Sequence, residues 1–170
     1  MTHAALLLAE KEIGTWEWKD GHNPKILAYF KDAGHPQIKD DETAWCAAFV
    51  GAMLKRSGSQ GTGSLVARSY LNWGEPVDLA DAKPGDIVVF ARGNSTWQGH
   101  VGFFVKRQGA FIEVLGGNQS NQVNIQRYST ANLLGVRREK LSLPQTPAAP
   151  EPFNLIQWLI DAIGRLLKGK

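Results

Sequence analysis

The hydrophobic pattern of this chain changes character at Pro84. Before it, 4–13, 23–33 and 43–57 read as helices, with a short fourth over 66–73. After it come short β-type runs at 87–91, 101–106, 110–115, 122–128 and 133–138, separated by Gly, Asn and Ser clusters, the pattern of an antiparallel meander. Helices first and strands second predict an α+β fold, N-terminal helices packed on an antiparallel sheet. Local signals punctuate the helices. Pro24 sits in the first turn of the second, and Gly34 stops it. Thr43 is the expected N-cap of the third, Lys55 and Arg56 suit the negative end of its dipole, and Gly58 ends it.

With 170 residues, 43% hydrophobic and 21% charged, the chain has material for one cored domain plus extras. The extras are expected at the C-terminus, so the domain is assigned to 1–142. Residues 143–152 hold Pro144, Pro147, Pro150 and Pro152 and read as a stiff linker. Residues 153–170 read as an amphipathic helix, with Asn154, Gln157, Asp161, Gly164, Arg165 and Lys168 on one narrow arc and apolar residues over the rest. That face suits docking on protein. The second reading is an interfacial membrane helix, which Trp158, Arg165, Lys168 and Lys170 favour.

The apolar stretch 4–9 has no basic segment before it and meets Glu10-Lys11-Glu12 at once, so no signal peptide is expected. Synthesis in the cytoplasm is expected, and if the protein acts outside it, something else must release it. No run of about 18 apolar residues is present to span a membrane. A net charge of +3 allows weak attraction to anionic surfaces without choosing among them, and no nucleic-acid partner is expected. The single cysteine excludes an intrachain disulfide.

That cysteine, Cys46, falls in the first turn of the third helix. A helix N-terminus presents unpaired N–H groups and partial positive charge, so a thiol there is expected to ionise more readily. A free cysteine also serves as a small buried hydrophobe, and position alone leaves both readings open. A nucleophilic cysteine needs a base. His3 lies at a terminus, and His22 and His35 lie in turn sequences. His100 opens the run Val101-Gly102-Phe103-Phe104-Val105, where a strand would fix its direction while Gly99 and Gly102 leave room for close approach. Asn118 ends the next strand-like run and is positioned to orient the imidazole, although Asn beside Gly is also common turn chemistry.

The blocks Asp41-Glu42-Thr43-Ala44-Trp45-Cys46-Ala47-Ala48-Phe49-Val50, Pro84-Gly85-Asp86-Ile87-Val88-Val89-Phe90, Gly99-His100-Val101-Gly102-Phe103 and Gly116-Gly117-Asn118-Gln119 resemble the signatures of CHAP and NlpC/P60 cysteine peptidases. The resemblance runs from about residue 2 to 138. It implies a papain-like fold and cleavage of an amide bond in peptidoglycan through an acyl-enzyme, with Cys46 as nucleophile, His100 as base and Asn118 as orienting group. Asparagine rather than histidine at the third position places the chain nearer the CHAP side. Some CHAP enzymes carry a glutamate two residues before that asparagine, where this chain has Gly116.

Trp45, Trp73, Trp97 and Gln98 are candidates for a substrate groove, though each tryptophan also suits a core position. No cofactor and no required metal are expected. The run Asp40-Asp41-Glu42 is read as complementing a helix dipole rather than binding calcium. A phage endolysin or released wall-degrading effector, acting as a monomer, is the first functional expectation. The alternatives are a non-catalytic wall-binding or assembly module, and a cysteine-dependent acyltransferase or protein hydrolase on the same fold.

Overall fold

The computed structural model describes residues 2–140. The linker expected at 143–152 and the helix expected at 153–170 lie outside the described residues.

Helix α1 (Thr2–Glu10) buries Ala5, Leu6 and Ala9 on one stripe. It stops short of the expected Ile13 because the N–H groups of Lys11, Glu12 and Ile13 turn back to carbonyls three residues earlier, closing tighter turns. Helix α2 (Pro24–Asp32) matches its sequence signals. Asn23 is the N-cap, its side chain accepting the Lys25 N–H at 3.0 Å, and Pro24 follows it. At the other end Gly34, with φ +97°, lets the His35 N–H reach the Phe30 carbonyl at 2.8 Å.

Helix α3 (Cys46–Arg56) departs from expectation at its start. Thr43 is not the N-cap: its N–H and hydroxyl both donate to Asp40 Oδ1, at 2.7 and 2.8 Å, and the helix begins three residues later. The cap position falls to Trp45, which makes no side-chain capping bond. The first N–H groups of α3 therefore remain available to whatever lies beside them. Every residue from Cys46 to Leu54 is buried, which makes α3 the central helix of the domain.

The sheet contains β1 (Glu75–Val77), β2 (Ile87–Ala91), β3 (Gly99–Gln108), β4 (Phe111–Gly116), β5 (Asn124–Ser129) and β6 (Leu133–Arg138). All pairs are antiparallel, in the order β1-β6-β2-β3-β4-β5. A meander therefore holds from β2 to β5 and then fails, because β6 returns to the far side of β2. β1, too short and polar to read from Glu75-Pro76-Val77, pairs with β6.

The return is achieved by curling. Four residue steps from Ser129 to Leu133 span at most about 14 Å, whereas four strand spacings in a flat sheet are about 19 Å. β5 and β6 are brought together only if the sheet bends round. The two faces then pack differently. Ile87, Val89, Val101, Phe103 and Leu115 join the helices in the main core, while Val88, Phe90, Phe104, Ile112, Val114 and Val136 form a second cluster on the other face. At the open end Asp86, fully buried, accepts Arg138 Nε at 2.8 Å and Nη2 at 2.6 Å and ties the start of β2 to the end of β6. Among the described residues no helix is long and apolar enough to cross a membrane.

Candidate active site

A cavity of about 610 Å³ opens where the start of α3, the start of β3 and the loop after β4 converge. Cys46, His100, Asn118 and Gln119 all line it.

Cys46 is 8% exposed, and the N–H groups of Val101, Ala47 and Cys46 itself donate toward its sulfur. These donors and Arg92 favour the thiolate. Burial nevertheless outweighs them and pushes the thiol up from its ordinary range. The expectation that the helix start would make Cys46 ionise readily is corrected accordingly.

His100, the second residue of β3, is held on two sides. Its ring stacks on Tyr128 at 4.9 Å and 10°, and Nε2 lies 2.9 Å from Gln119 Oε1. Burial, aided by Arg92 against the opposing Gln119 bond, pulls the imidazole down to about 4. His100 is therefore a neutral base near neutral pH. Val101, whose N–H meets the thiol, is its neighbour in the chain. Among the described residues no direct hydrogen bond joins Cys46 to His100, and bonds of this kind commonly tighten only when substrate binds.

The structure brings Asn118 to the same cavity as His100 but not into a hydrogen bond with it. Among the described residues its side chain makes no hydrogen bond to the imidazole, and its backbone, at φ +56°, turns it along the cavity wall. The partner is the adjacent Gln119, 1% exposed. Sequence reasoning passed over it because its side chain reaches His100 only through the folded loop. Gly116 shows why the space exists: a Cβ there would lie 2.8 Å from Gln119 Oε1 and 3.2 Å from His100 Nε2. Gln119 occupies the place that a longer residue at 116 would need.

The four proposed groove residues divide. Trp97, 65% exposed, and Gln98 line the cavity. Trp45 is fully buried, its indole N–H donating to Glu17 at 2.7 Å, so it belongs to the core. Trp73 leans on Tyr70 and donates to the Gln60 carbonyl at 2.7 Å, outside the cavity. Trp45 still matters to the site because it packs under Gly117. A Cβ on Gly117 would come within 2.5 Å of the indole and 2.6 Å of Phe49 Cβ. Gly117→Ala is expected to destabilise the domain by about 2–3 kcal/mol through overpacking, readable as a lower urea midpoint with unchanged slope.

Among the described residues lining the cavity, Arg92 alone carries a permanent charge. Trp16 and Trp18, both exposed, flank an adjoining groove that shares Ser120 and Asn121 with it. A separate cavity of about 560 Å³ behind α3 holds Asp32 and Lys55 but no nucleophile–base pair. Among the described residues no three His, Cys, Asp or Glu side chains are grouped to hold a metal ion. Asp40 accepts from Thr43, and Asp41 is buried against Trp18, His22 and Asn23. Both acids thus organise the loop ahead of α3 and do not face its dipole as expected.

Central helix, curled antiparallel sheet, helix-start cysteine and strand-start histidine together define an α+β domain of papain-like layout. Residues 38–118 match the CHAP domain family model, the family that the sequence motifs resemble. Solved structures of similar fold include the peptidoglycan hydrolase RipB from Mycobacterium tuberculosis, 17% identical with a TM-score of 0.50, covering 81% of this chain and 63% of that one. NlpC1 from Trichomonas vaginalis is 16% identical with a TM-score of 0.51, covering 81% of this chain and 43% of that one. The P60 domain of an M. avium subspecies paratuberculosis antigen is 11% identical with a TM-score of 0.50, covering 81% and 93%. The chain thus spans less than two thirds of RipB and NlpC1. At these identities the likeness is one of fold. A search of the curated proteins returns no match.

Proposed function

We propose that residues 1–142 form a cysteine hydrolase that cleaves an amide bond of bacterial peptidoglycan. The observation that carries this reading is a buried thiol and a buried neutral imidazole opening into one cavity. The CHAP match and the fold shared with a peptidoglycan hydrolase support the cell-wall substrate.

The chemistry starts from an uncharged pair. As the Cys46 sulfur attacks the amide carbon, His100 takes the thiol proton, so the thiolate is generated in the act of bond formation. The tetrahedral oxyanion is stabilised by backbone N–H donors at the uncapped start of α3, including that of Cys46. His100 returns its proton to the leaving amine, and the C–N bond breaks to leave a thioester. Water then attacks the thioester with His100 again as base, releasing the acid and restoring the thiol.

Trp97 at one end of the cavity, with Trp16 and Trp18 along the adjoining groove, offers flat apolar faces for sugar rings or peptide. Arg92 offers a partner for a stem-peptide carboxylate. Arg92→Ala is expected to raise KM about tenfold for fragments with a free carboxylate and to change KM little for amidated ones, with kcat nearly constant. Equal KM changes for both fragment types would remove Arg92 from recognition.

A phage endolysin or wall-degrading effector, acting at the wall as a monomer, is the setting proposed for this activity. Contact of 153–170 with the bacterial membrane is proposed alongside it. Digestion of purified sacculi by wild type and by Cys46→Ala, with mass spectrometry of the released fragments, tests the reading. The new ends distinguish amidase from peptide endopeptidase. A wild type that releases nothing overturns it.

A further inference from the structure

We propose that Gln119 is the positioning residue of His100, holding the imidazole as the Nε2–H tautomer so that Nδ1 is the nitrogen that receives the Cys46 proton. This rests on the reading of Cys46 and His100 as nucleophile and base. Gln119 lies one residue beyond the stretch matched by the family model.

The assignment follows from which ends of the Gln119 amide can face which neighbours. Its Nε2 lies 3.2 Å from the Val114 carbonyl, 2.7 Å from the Asn124 carbonyl and 2.8 Å from Asn124 Oδ1. The two carbonyls only accept, so the amide nitrogen must point at them. Reversing the amide would set Oε1 against two carbonyl oxygens in a buried site, acceptor facing acceptor with no proton between them. Oε1 is thereby directed at His100, and an amide oxygen can only accept. His100 Nε2 must carry the proton.

The rest of the loop keeps Gln119 in place. Its N–H donates to the Gln122 carbonyl at 3.0 Å, and its own carbonyl accepts Asn124 Nδ2 at 3.0 Å. Asn118, Ser120 and Asn121 all adopt the left-handed conformation, with φ of +56°, +55° and +63°. Such non-glycine residues are unfavourable singly and persist where the surroundings over-determine them, commonly at functional sites. The Tyr128 ring, nearly parallel to the imidazole, restrains its plane. Plane and tautomer are both set before substrate arrives, which is the preorganisation a base requires.

Because Gln119 is uncharged, its hydrogen bond favours the imidazolium less than a carboxylate would. Gln119→Glu has nearly the same shape and adds a charge; its second oxygen then faces the Val114 and Asn124 carbonyls, so its urea midpoint is read alongside the spectra.

The test is NMR of the full chain with ¹⁵N-labelled histidine, alongside pH profiles of sacculus cleavage. Wild-type His100 is expected to show a protonated Nε2 and a bare Nδ1 at neutral pH. Gln119→Glu is expected to keep that tautomer, raise the His100 pKa by at least about one unit and move the acid limb of kcat/KM upward with it. Gln119→Leu is expected to give mixed tautomers and a kcat reduced about 10–100-fold with KM within about twofold. Asn118→Ala is expected to leave tautomer and pKa unmoved. A wild-type Nδ1–H tautomer overturns the proposal, as does a His100 pKa that responds to Asn118→Ala and not to Gln119→Glu; neither reading depends on Gln119→Leu folding. The spectra need no turnover. The expected tautomer and pKa response in a protein inactive on sacculi would support Gln119 as the orienting residue while rejecting the catalytic reading.

Discussion

Cys46→Ala releases no soluble fragment from sacculi above about one thousandth of the wild-type rate. Loss on this scale is expected because the substitution removes the atom that forms the thioester, and no other cysteine exists to replace it. Stability should hardly change, since removing one small buried sulfur costs about 1 kcal/mol. Thermal unfolding by circular dichroism therefore shows a midpoint within a few degrees of wild type. His100→Ala should remove turnover to a similar extent, with a larger stability loss because Gln119 Oε1 loses its donor and Tyr128 its stacking partner. Cleavage by Cys46→Ala within tenfold of wild type would mean that the nucleophile lies elsewhere.

Asp41→Ala unfolds the domain more easily by about 3 kcal/mol at neutral pH. The carboxylate is 1% exposed and organises three partners: Oδ2 accepts the Asn23 N–H at 2.9 Å and the Trp18 N–H at 3.2 Å, and Oδ1 lies 3.0 Å from His22 Nδ1. Alanine leaves the buried donors without partners. It also loosens the 16–23 loop and the start of α2 from the segment that leads into Cys46. Asp41→Asn should lose less, because its one remaining side-chain oxygen can still accept.

The effect depends on pH in a definite direction. Desolvation alone would raise the Asp41 carboxyl, but hydrogen bonds from the Asn23 N–H, His22 and the Trp18 N–H outweigh it and hold the group below its ordinary 3.8. A carboxyl depressed by folding contributes stability that is full above the unfolded value and is lost as pH falls through the folded one. Urea unfolding of wild type and Asp41→Ala should therefore show a wide gap at pH 7 that narrows below about pH 4. A gap that stays constant down to pH 2 would show that the ionised form is not what the fold selects.

What was legible in the sequence was local. Asn23, Pro24 and Gly34 delimit α2 by acting on their own backbone, and β2 keeps the 87–91 boundaries because its apolar run lies between Pro84-Gly85 and Gly93-Asn94, while β6 keeps 133–138 because its apolar run gives way to charged residues. Cys46 at a helix start and His100 near a strand start belong to the same class of information. Thr43 misled because Asp40, three residues back, competes for its N–H and hydroxyl more effectively than the helix does.

Tertiary structure alone decided the features that depend on what lies across the domain. The return of β6 to β2 follows from curling of the whole sheet, which no single strand records. Trp45 became core and Trp97 became cavity wall because one is covered by Gly117 and Phe49 while the other is left in solvent. The choice of Gln119 over Asn118 depends on a left-handed turn that aims one amide inward and its neighbour along the wall. The charge state of the Cys46–His100 pair was decided in the same way. The helix start favours the thiolate by position, but the domain closes around the sulfur, and desolvation of a charge is the larger effect.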